Sequence, residues 1–256
     1  MTYYLLGTGN MAEFLAMRMN GAGHVCVGLW GRDPDAAAKL ARKHHFPLMQ
    51  RIPGMHDGPD ACLLAISDNA IPDVAKDIRL NTTTLIHFAG GVSSGKLAVA
   101  ASRYGVAWPL YSIRKAYLPV ERKFPCIIEG NTNEALGIVR DIARAVSDTV
   151  VELSGEQRQW LHTAAVVSNN FTNYLLSIAA EICRVNGIPF MLLQPIMQQL
   201  LKNAESQSPR SLQTGPAKRG DTATMAKHLE LMQDKPHWQE VYKALSAAIA
   251  ADFKAN

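Results

Sequence analysis

The segment Gly7-Thr8-Gly9-Asn10-Met11-Ala12 follows the apolar run Tyr3-Tyr4-Leu5-Leu6 and opens a helical pattern over Met11–Met19. A strand, a Gly-x-Gly-x-x-Ala turn and a helix in that order admit few folds, because each small residue answers a different steric demand. Gly7 permits the tight turn, Gly9 lets backbone approach a pyrophosphate, and Ala12 lets the helix pack closely on the strand. The helix N-terminus then presents free N–H groups and a partial positive charge to phosphate oxygens. A dinucleotide site formed by Gly7, Thr8, Gly9, Asn10 and Met11 is the expectation.

The rest of the first half supports a sheet covered by helices. Short apolar runs at His24–Trp30, Ala61–Ile66 and Thr83–Ala89 alternate with helical patterns at Pro34–His44, Ile71–Ile78 and Leu97–Tyr104. A weaker strand is placed at Pro47–Gln50, and further strands at Val106–Tyr111, Pro125–Glu129 and Thr149–Leu153, with a helix over Asn131–Ala145. From Glu156 onward only helical periods remain, at 156–186, 189–206, 221–233 and 236–253, with prolines near their starts or in loops. The reading is an α/β chain with a Rossmann-type, mostly parallel sheet over residues 1–153. A second, all-helical domain over residues 154–256 would serve the substrate and dimerisation.

The end of the second strand separates NAD from NADP. NAD binders usually carry a carboxylate there for the ribose hydroxyls, and an Arg accommodates the extra phosphate of NADP. The chain reads Trp30-Gly31-Arg32-Asp33-Pro34. Arg32 favours NADP (NADPH) over NAD, and Asp33 before a proline suits a helix cap as well as a ribose ligand. Ser67 and Asp68, just past the Ala61–Ile66 strand, would border the cofactor, with helix capping as the alternative for Asp68. Ser112, Arg114 and Lys115 border the cleft more weakly.

Composition narrows the class. The 256 residues carry a formal net charge of +4 with acidic and basic residues interleaved, which gives nucleic-acid binding no support and suits a small anionic ligand. Cys26, Cys62, Cys126 and Cys183 form no Cys-x-x-Cys pair, so neither zinc nor a disulfide framework is suggested. No segment reaches the roughly 18 to 20 apolar residues of a membrane span, and no membrane partner is expected. A cytoplasmic protein is the expectation.

The glycine motif, the run Ala61-Cys62-Leu63-Leu64-Ala65-Ile66-Ser67-Asp68 and the helical second half resemble the pyrroline-carboxylate reductase, ketopantoate reductase and 6-phosphogluconate dehydrogenase group. Within that group the chain is similar to a bacterial Rossmann-like family with a helical C-terminal domain of unknown function. The similarity also rests on Ile86-His87-Phe88-Ala89-Gly90, on His162-Thr163-Ala164-Ala165-Val166-Val167-Ser168-Asn169-Asn170, and on Thr214-Gly215-Pro216-Ala217-Lys218-Arg219-Gly220-Asp221. Trp108-Pro109 stands where many members carry His-Pro. The resemblance implies a fold and a cofactor but no reaction.

Candidate chemistry lies in those segments. At about 100° per residue, His162, Asn169 and Asn173 fall within about 20° of one direction on a helix. A polar stripe among Ala, Val and Leu suits a cleft in which His162 donates or relays a proton and an asparagine holds the substrate. The resemblance puts His162 where ketopantoate reductases have a lysine and Asn170 where they have an asparagine, so Asn169 and Asn170 both stand as candidates. Paired, buried polar groups are the competing explanation of the stripe. His87, followed by Ala89-Gly90-Gly91, is a candidate substrate contact or a core histidine. In the loop Thr214–Asp221, Lys218 and Arg219 suit a substrate anion, and Asp221 suits a substrate contact or a cap for the helix after it. His228 shares that helix's face.

Two functions fit. One is a reductase moving hydride between NADPH and a C=O or C=N group of a small anionic substrate. The other is a non-catalytic dinucleotide-binding sensor or assembly protein. In either, the helical half would make a homodimer.

Overall fold

The computed structural model describes residues 1–52 and 56–253. Its contacts divide the chain into two compact units, Met1–Ser168 and Asn169–Asn256.

The first unit is built on a seven-stranded sheet in the order β2-β1-β3-β4-β5-β6-β7. The strands are β1 (Thr2–Leu6), β2 (Val25–Trp30), β3 (Ala61–Leu64), β4 (Thr84–His87), β5 (Tyr104–Pro109), β6 (Pro125–Gly130) and β7 (Thr149–Glu152). All neighbours pair in parallel except β5 and β6. Helices α1 (Asn10–Gly21), α2 (Pro34–His44), α3 (Ile71–Lys76), α4 (Asn133–Val146) and α5 (Gly155–Ala165) complete it.

Both faces of the sheet are covered, which is why β1 and β3 read as unbroken apolar runs rather than alternating ones. Tyr3 and Leu5 point into a core with Phe14, Leu15 and Met19 of α1 and Ile142 and Val146 of α4. Tyr4 and Leu6 point the other way, with Ile71 and Ala75 of α3 and with Leu97. The chain turns to β2 on one side of β1 and then crosses to β3 on the other. The crevice at the carboxyl ends of β1 and β3 is therefore the topological switch point, where open α/β sheets bind ligands.

Three elements differ from the sequence expectation. The strand at Pro47–Gln50 is a single parallel bridge, Leu29 to Leu48, because only the Pro47 carbonyl and the Met49 N–H reach Leu29. The helix at Leu97–Tyr104 is one 3₁₀ turn, Ser94–Leu97, followed by β5. Buried Leu97, Ala100 and Ala101 have helical spacing, but the Ala100 carbonyl and the Ser102 N–H bond Leu80 instead. The continuous helix 156–186 is α5, then a π-helical segment Val166–Phe171, then α6 (Thr172–Val185). A π turn advances each residue by less than an α turn, so the 100° arithmetic behind the stripe of His162, Asn169 and Asn173 does not hold across it.

The second unit contains α6, α7 (Gln194–Ala204), α8 (Pro216–Arg219), α9 (Thr222–Leu231) and α10 (Pro236–Asp252). α8 is a helical turn inside the segment expected to be a plain loop. Among the described residues of this unit, the buried side chains are Cys183 and Ala217.

Candidate functional site

The site begins with a steric requirement at the end of β1. Gly7 has φ +126°, and a Cβ there would stand 2.1 Å from the Ala65 carbonyl oxygen. Only glycine lets the turn pass so close to the strand end of β3. Its N–H donates to the Trp30 carbonyl at 2.8 Å, which ties the turn to β2 as well. Gly31 repeats the device, since a Cβ there would lie 2.5 Å from Thr8 Cγ2. Gly9 then takes the N-cap of α1 with no side-chain cap, leaving the first-turn N–H groups open.

The turn opens on a cleft of about 570 Å³. Of the sequence candidates, Gly7, Thr8, Gly9, Asn10, Met11, Arg32 and Ser67 line it. Asp68 does not line it and instead starts a short 3₁₀ turn, Asp68–Ala70. Asp33 accepts from the N–H groups of Asp35 at 3.0 Å and Ala36 at 3.2 Å, so its carboxylate caps α2, with Pro34 at the first helical turn. Arg32 is left exposed at the cleft, with no salt bridge among the described residues.

One feature of this cleft escaped the sequence reading, and another was marked only weakly. Trp30, Asp73 and Val74 line it and also line an adjoining cleft of about 380 Å³ that reaches Gln50 and Arg51. Their roles follow from strand ends meeting a helix, which residue types alone do not reveal. The weakly marked Lys115 lies directly on the turn. Its N–H donates to Asn10 Oδ1 at 3.1 Å, and its ammonium donates to the Thr8 carbonyl. Arg114 forms a bridge with Tyr117 in the same segment.

A second cluster gathers where β4 and β5 end, at the same sheet edge as the turn, because His87 pairs in register with Leu64 and Leu64 with Leu6. Ser154 and Gln157 form a capping box that starts α5. The helix then carries Arg158 and His162 on one face, four residues apart. His162 is half-buried, its ring set edge-on to Trp108 at 5.4 Å between centroids and against Gly90 and Gly91. Arg158 is wholly buried and pairs with Glu129 of β6 at 3.1 Å.

His87 has no exposed surface. Its Nδ1 accepts from the Ala89 N–H at 3.2 Å, which places the proton of a neutral ring on Nε2, and Nε2 has no hydrogen-bond partner of ordinary geometry among the described residues. Burial, and next the Arg158 charge, push its pKa down to about 3, with the Ser93 backbone offsetting part of the effect. The ring is neutral at physiological pH and holds the chain leaving β4. The expected substrate contact is thus a core group in this structure.

In the second unit, Asn169 Nδ2 donates to Asn170 Oδ1 at 3.3 Å, and both residues are exposed. Lys218 donates to the Gln213 carbonyl at 2.8 Å and sits over the Phe253 ring. Asp221 caps α9 through the Thr224 N–H at 3.0 Å and hydroxyl at 2.8 Å, and these bonds, backbone first, hold its pKa below the usual carboxylate value. Arg219 is exposed, and His228 Nδ1 meets the Tyr242 hydroxyl at 2.9 Å. Among the described residues no helix is long and apolar enough to cross a membrane, and no group of His, Cys, Asp and Glu could hold a metal ion.

Comparison with known proteins adds a family and a set of folds. Residues 124–249 match DUF2520, a domain of unknown function. No curated protein matches the sequence. Among solved structures, a "putative NADP oxidoreductase" from Bacteroides fragilis is 26% identical with a TM-score of 0.85, covering 98% of each chain. An imine reductase from Myxococcus stipitatus in complex with NADP+ is 14% identical with a TM-score of 0.70, covering 100% of this chain and 95% of its own. A variant of that enzyme in complex with NAD+ is 14% identical with a TM-score of 0.62, covering 99% of each chain. The 1-pyrroline-5-carboxylate reductase of Streptococcus pyogenes is 18% identical with a TM-score of 0.64, covering 98% of each chain. The chain thus has a Rossmann-like fold, and its residues 124–249 are similar to the DUF2520 family.

Proposed function

We propose that the protein is an NADPH-dependent reductase acting on a C=O or C=N group of a small anionic substrate. The observation that carries the reading is the glycine turn opening on the 570 Å³ cleft, with Arg32 free at its rim while Asp33 is engaged as a cap. The turn fits a dinucleotide. Where a Gly9 Cβ would stand there is open space, and the N–H groups beside it have no capping side chain. Oxygens of a pyrophosphate would take those N–H groups, and Arg32 would take the 2′-phosphate. The relatives solved as NADP oxidoreductase and imine reductase agree with this assignment.

Bound NADPH supplies the hydride. His162 would hold the proton that the reduced oxygen or nitrogen acquires, with Asn169 or Asn170 orienting the substrate. Lys218 and Arg219 would attract its anionic group, Lys218 through the donors that its bond to the Gln213 carbonyl leaves over. In this division of labour, residues 1–153 bind the dinucleotide, and residues 154–256 serve the substrate and a homodimer. The dimer draws support from the second unit's surface, where Leu192, Ile196, Leu200 and Leu201 are all more than half exposed. Leu192, Ile196 and Leu200, four residues apart, make one apolar stripe with Leu201 beside it, which a second copy would cover.

The test is turnover. Purified protein with NADPH should reduce at least one member of a panel of keto acids and cyclic imines, and His162→Ala should lower kcat by about 10²-fold or more. NADPH binding with no consumption across the panel would leave a dinucleotide-binding protein without this chemistry. An unaltered rate in His162→Ala would remove the residue from the reaction.

A further inference from the structure

Among the described residues Arg158 is the largest fully buried side chain, with no exposed surface. Its Nε donates to Glu129 Oε2 at 3.1 Å, and its Nη1 donates to the carbonyls of Ala89, at 3.2 Å, and Gly90. Nη2 is buried with no hydrogen-bond partner among the described residues. A methionine would fill much of this volume without desolvating a charge, so stability alone is a weak reason for a guanidinium here. The fork is better explained by what it holds.

It holds the chain leaving β4. His87 Nδ1 fixes the Ala89 N–H, Arg158 fixes the Ala89 and Gly90 carbonyls, and Glu129 accepts from the Ser94 hydroxyl. The segment from Ala89 to Ser94 is thus tied at both ends to one ion pair, wholly buried at Arg158 and partly buried at Glu129. Between the ties lie Gly90 and Gly91, and they form the seat of His162. A Cβ on Gly90 would lie 2.6 Å from the imidazole Cδ2, and one on Gly91 would lie 3.2 Å from its Nδ1. Trp108 closes the remaining side, its ring 5.4 Å from the imidazole. The same helix face that grips the loop through Arg158 rests His162 in it, one turn later.

We propose that Arg158 is the positioning residue for His162: by clamping the Ala89–Gly90 backbone against Glu129 from α5, it fixes the imidazole between the glycine pair and Trp108. The proposal rests on the reading of His162 as the proton donor, but the placement it describes can be measured without turnover. A lysine at 158 keeps the charge and loses the planar fork that reaches three acceptors at once.

The experiment is NMR of the histidine rings of the full chain, with thermal unfolding and NADPH titration alongside. In Arg158→Lys the His162 Cε1–Hε1 resonance should move from its wild-type position and broaden, as the ring leaves the field of Trp108. The NADPH Kd should stay within about twofold, as expected for a separate contact. Ser94→Ala, which unties only one end of the loop, should fold and move the same resonance less. It carries the test alone if Arg158→Lys does not fold. A lower Tm with the His162 resonance unmoved in the folded variants would make Arg158 a structural residue and overturn the proposal. A His162 resonance that moves in a protein reducing no substrate would uphold the clamp while the reductase reading fails.

Discussion

Leu63 and Leu200 are the same side chain in opposite circumstances. Leu63 lies in β3 with no exposed surface, between helices on both faces of the sheet, whereas Leu200 on α7 is 59% exposed. The contrast holds for the units around them. The first packs two large apolar clusters against its sheet, and the second buries Cys183 and Ala217 among its described residues. A unit with a core fixes its loops by its own packing, so the glycine turn and the His162 seat are set within the first unit. A unit whose leucines face outward gains little from hydrophobic burial by itself and needs a surface to cover them.

The largest expected effect is an acid one, confined to the first unit. His87 is held neutral in the fold, with its pKa pushed from 6.5 down to about 3. Its contribution is complete above pH 6.5 and is lost as pH falls toward 3, where the unfolded chain takes up a proton that the fold refuses. The loss is on the order of 4–5 kcal/mol by pH 3. Denaturant unfolding across that range should show the slope in the wild type and a flatter one in His87→Asn. Equal slopes would mean the ring is not buried neutral.

The next effect probes the contrast itself. Leu63→Ala should cost about 2–5 kcal/mol, as large-to-small changes in packed cores do. Leu200→Ala should stay within about 0.5 kcal/mol at concentrations where chains are separate. A comparable loss at both sites would erase the distinction between the units. The proposed dimer sharpens it: Leu200→Glu with Leu201→Glu should turn a dimer into a monomer by light scattering, because two carboxylates cannot be buried unpaired in an apolar interface. A mass unchanged by the pair would move the interface elsewhere.

The parts legible in the sequence were those in which a residue type answers a local demand. Gly7 and Gly9 marked a positive φ and an open backbone, and the Ala61–Ile66 run marked a strand buried on both faces. Asp33 before Pro34 left two roles open, and its two cap bonds decide between them. The rest depended on distance along the chain. Arg158 meets Glu129, Ala89 and Gly90 only because β4, β6 and α5 converge, and no spacing announces that. The π segment Val166–Phe171 was hidden for another reason, since Val-Val-Ser-Asn-Asn-Phe has no composition that separates a π turn from an α turn. His162 stood as a proton donor, and His87 as a substrate contact or a core histidine. Burial separates them, one inside the sheet edge and the other half-exposed on α5.

In the proposed function, the cleft at the glycine turn takes NADP(H) through Arg32. Calorimetric titration of NADPH and NADH into the wild type and Arg32→Ala tests it most directly. The wild type should bind NADPH more tightly than NADH. The variant should lose about 10- to 100-fold for NADPH, the worth of one charge-assisted phosphate contact, with NADH little changed. Equal affinities for the two cofactors in the wild type, or an unchanged NADPH Kd in Arg32→Ala, would contradict it.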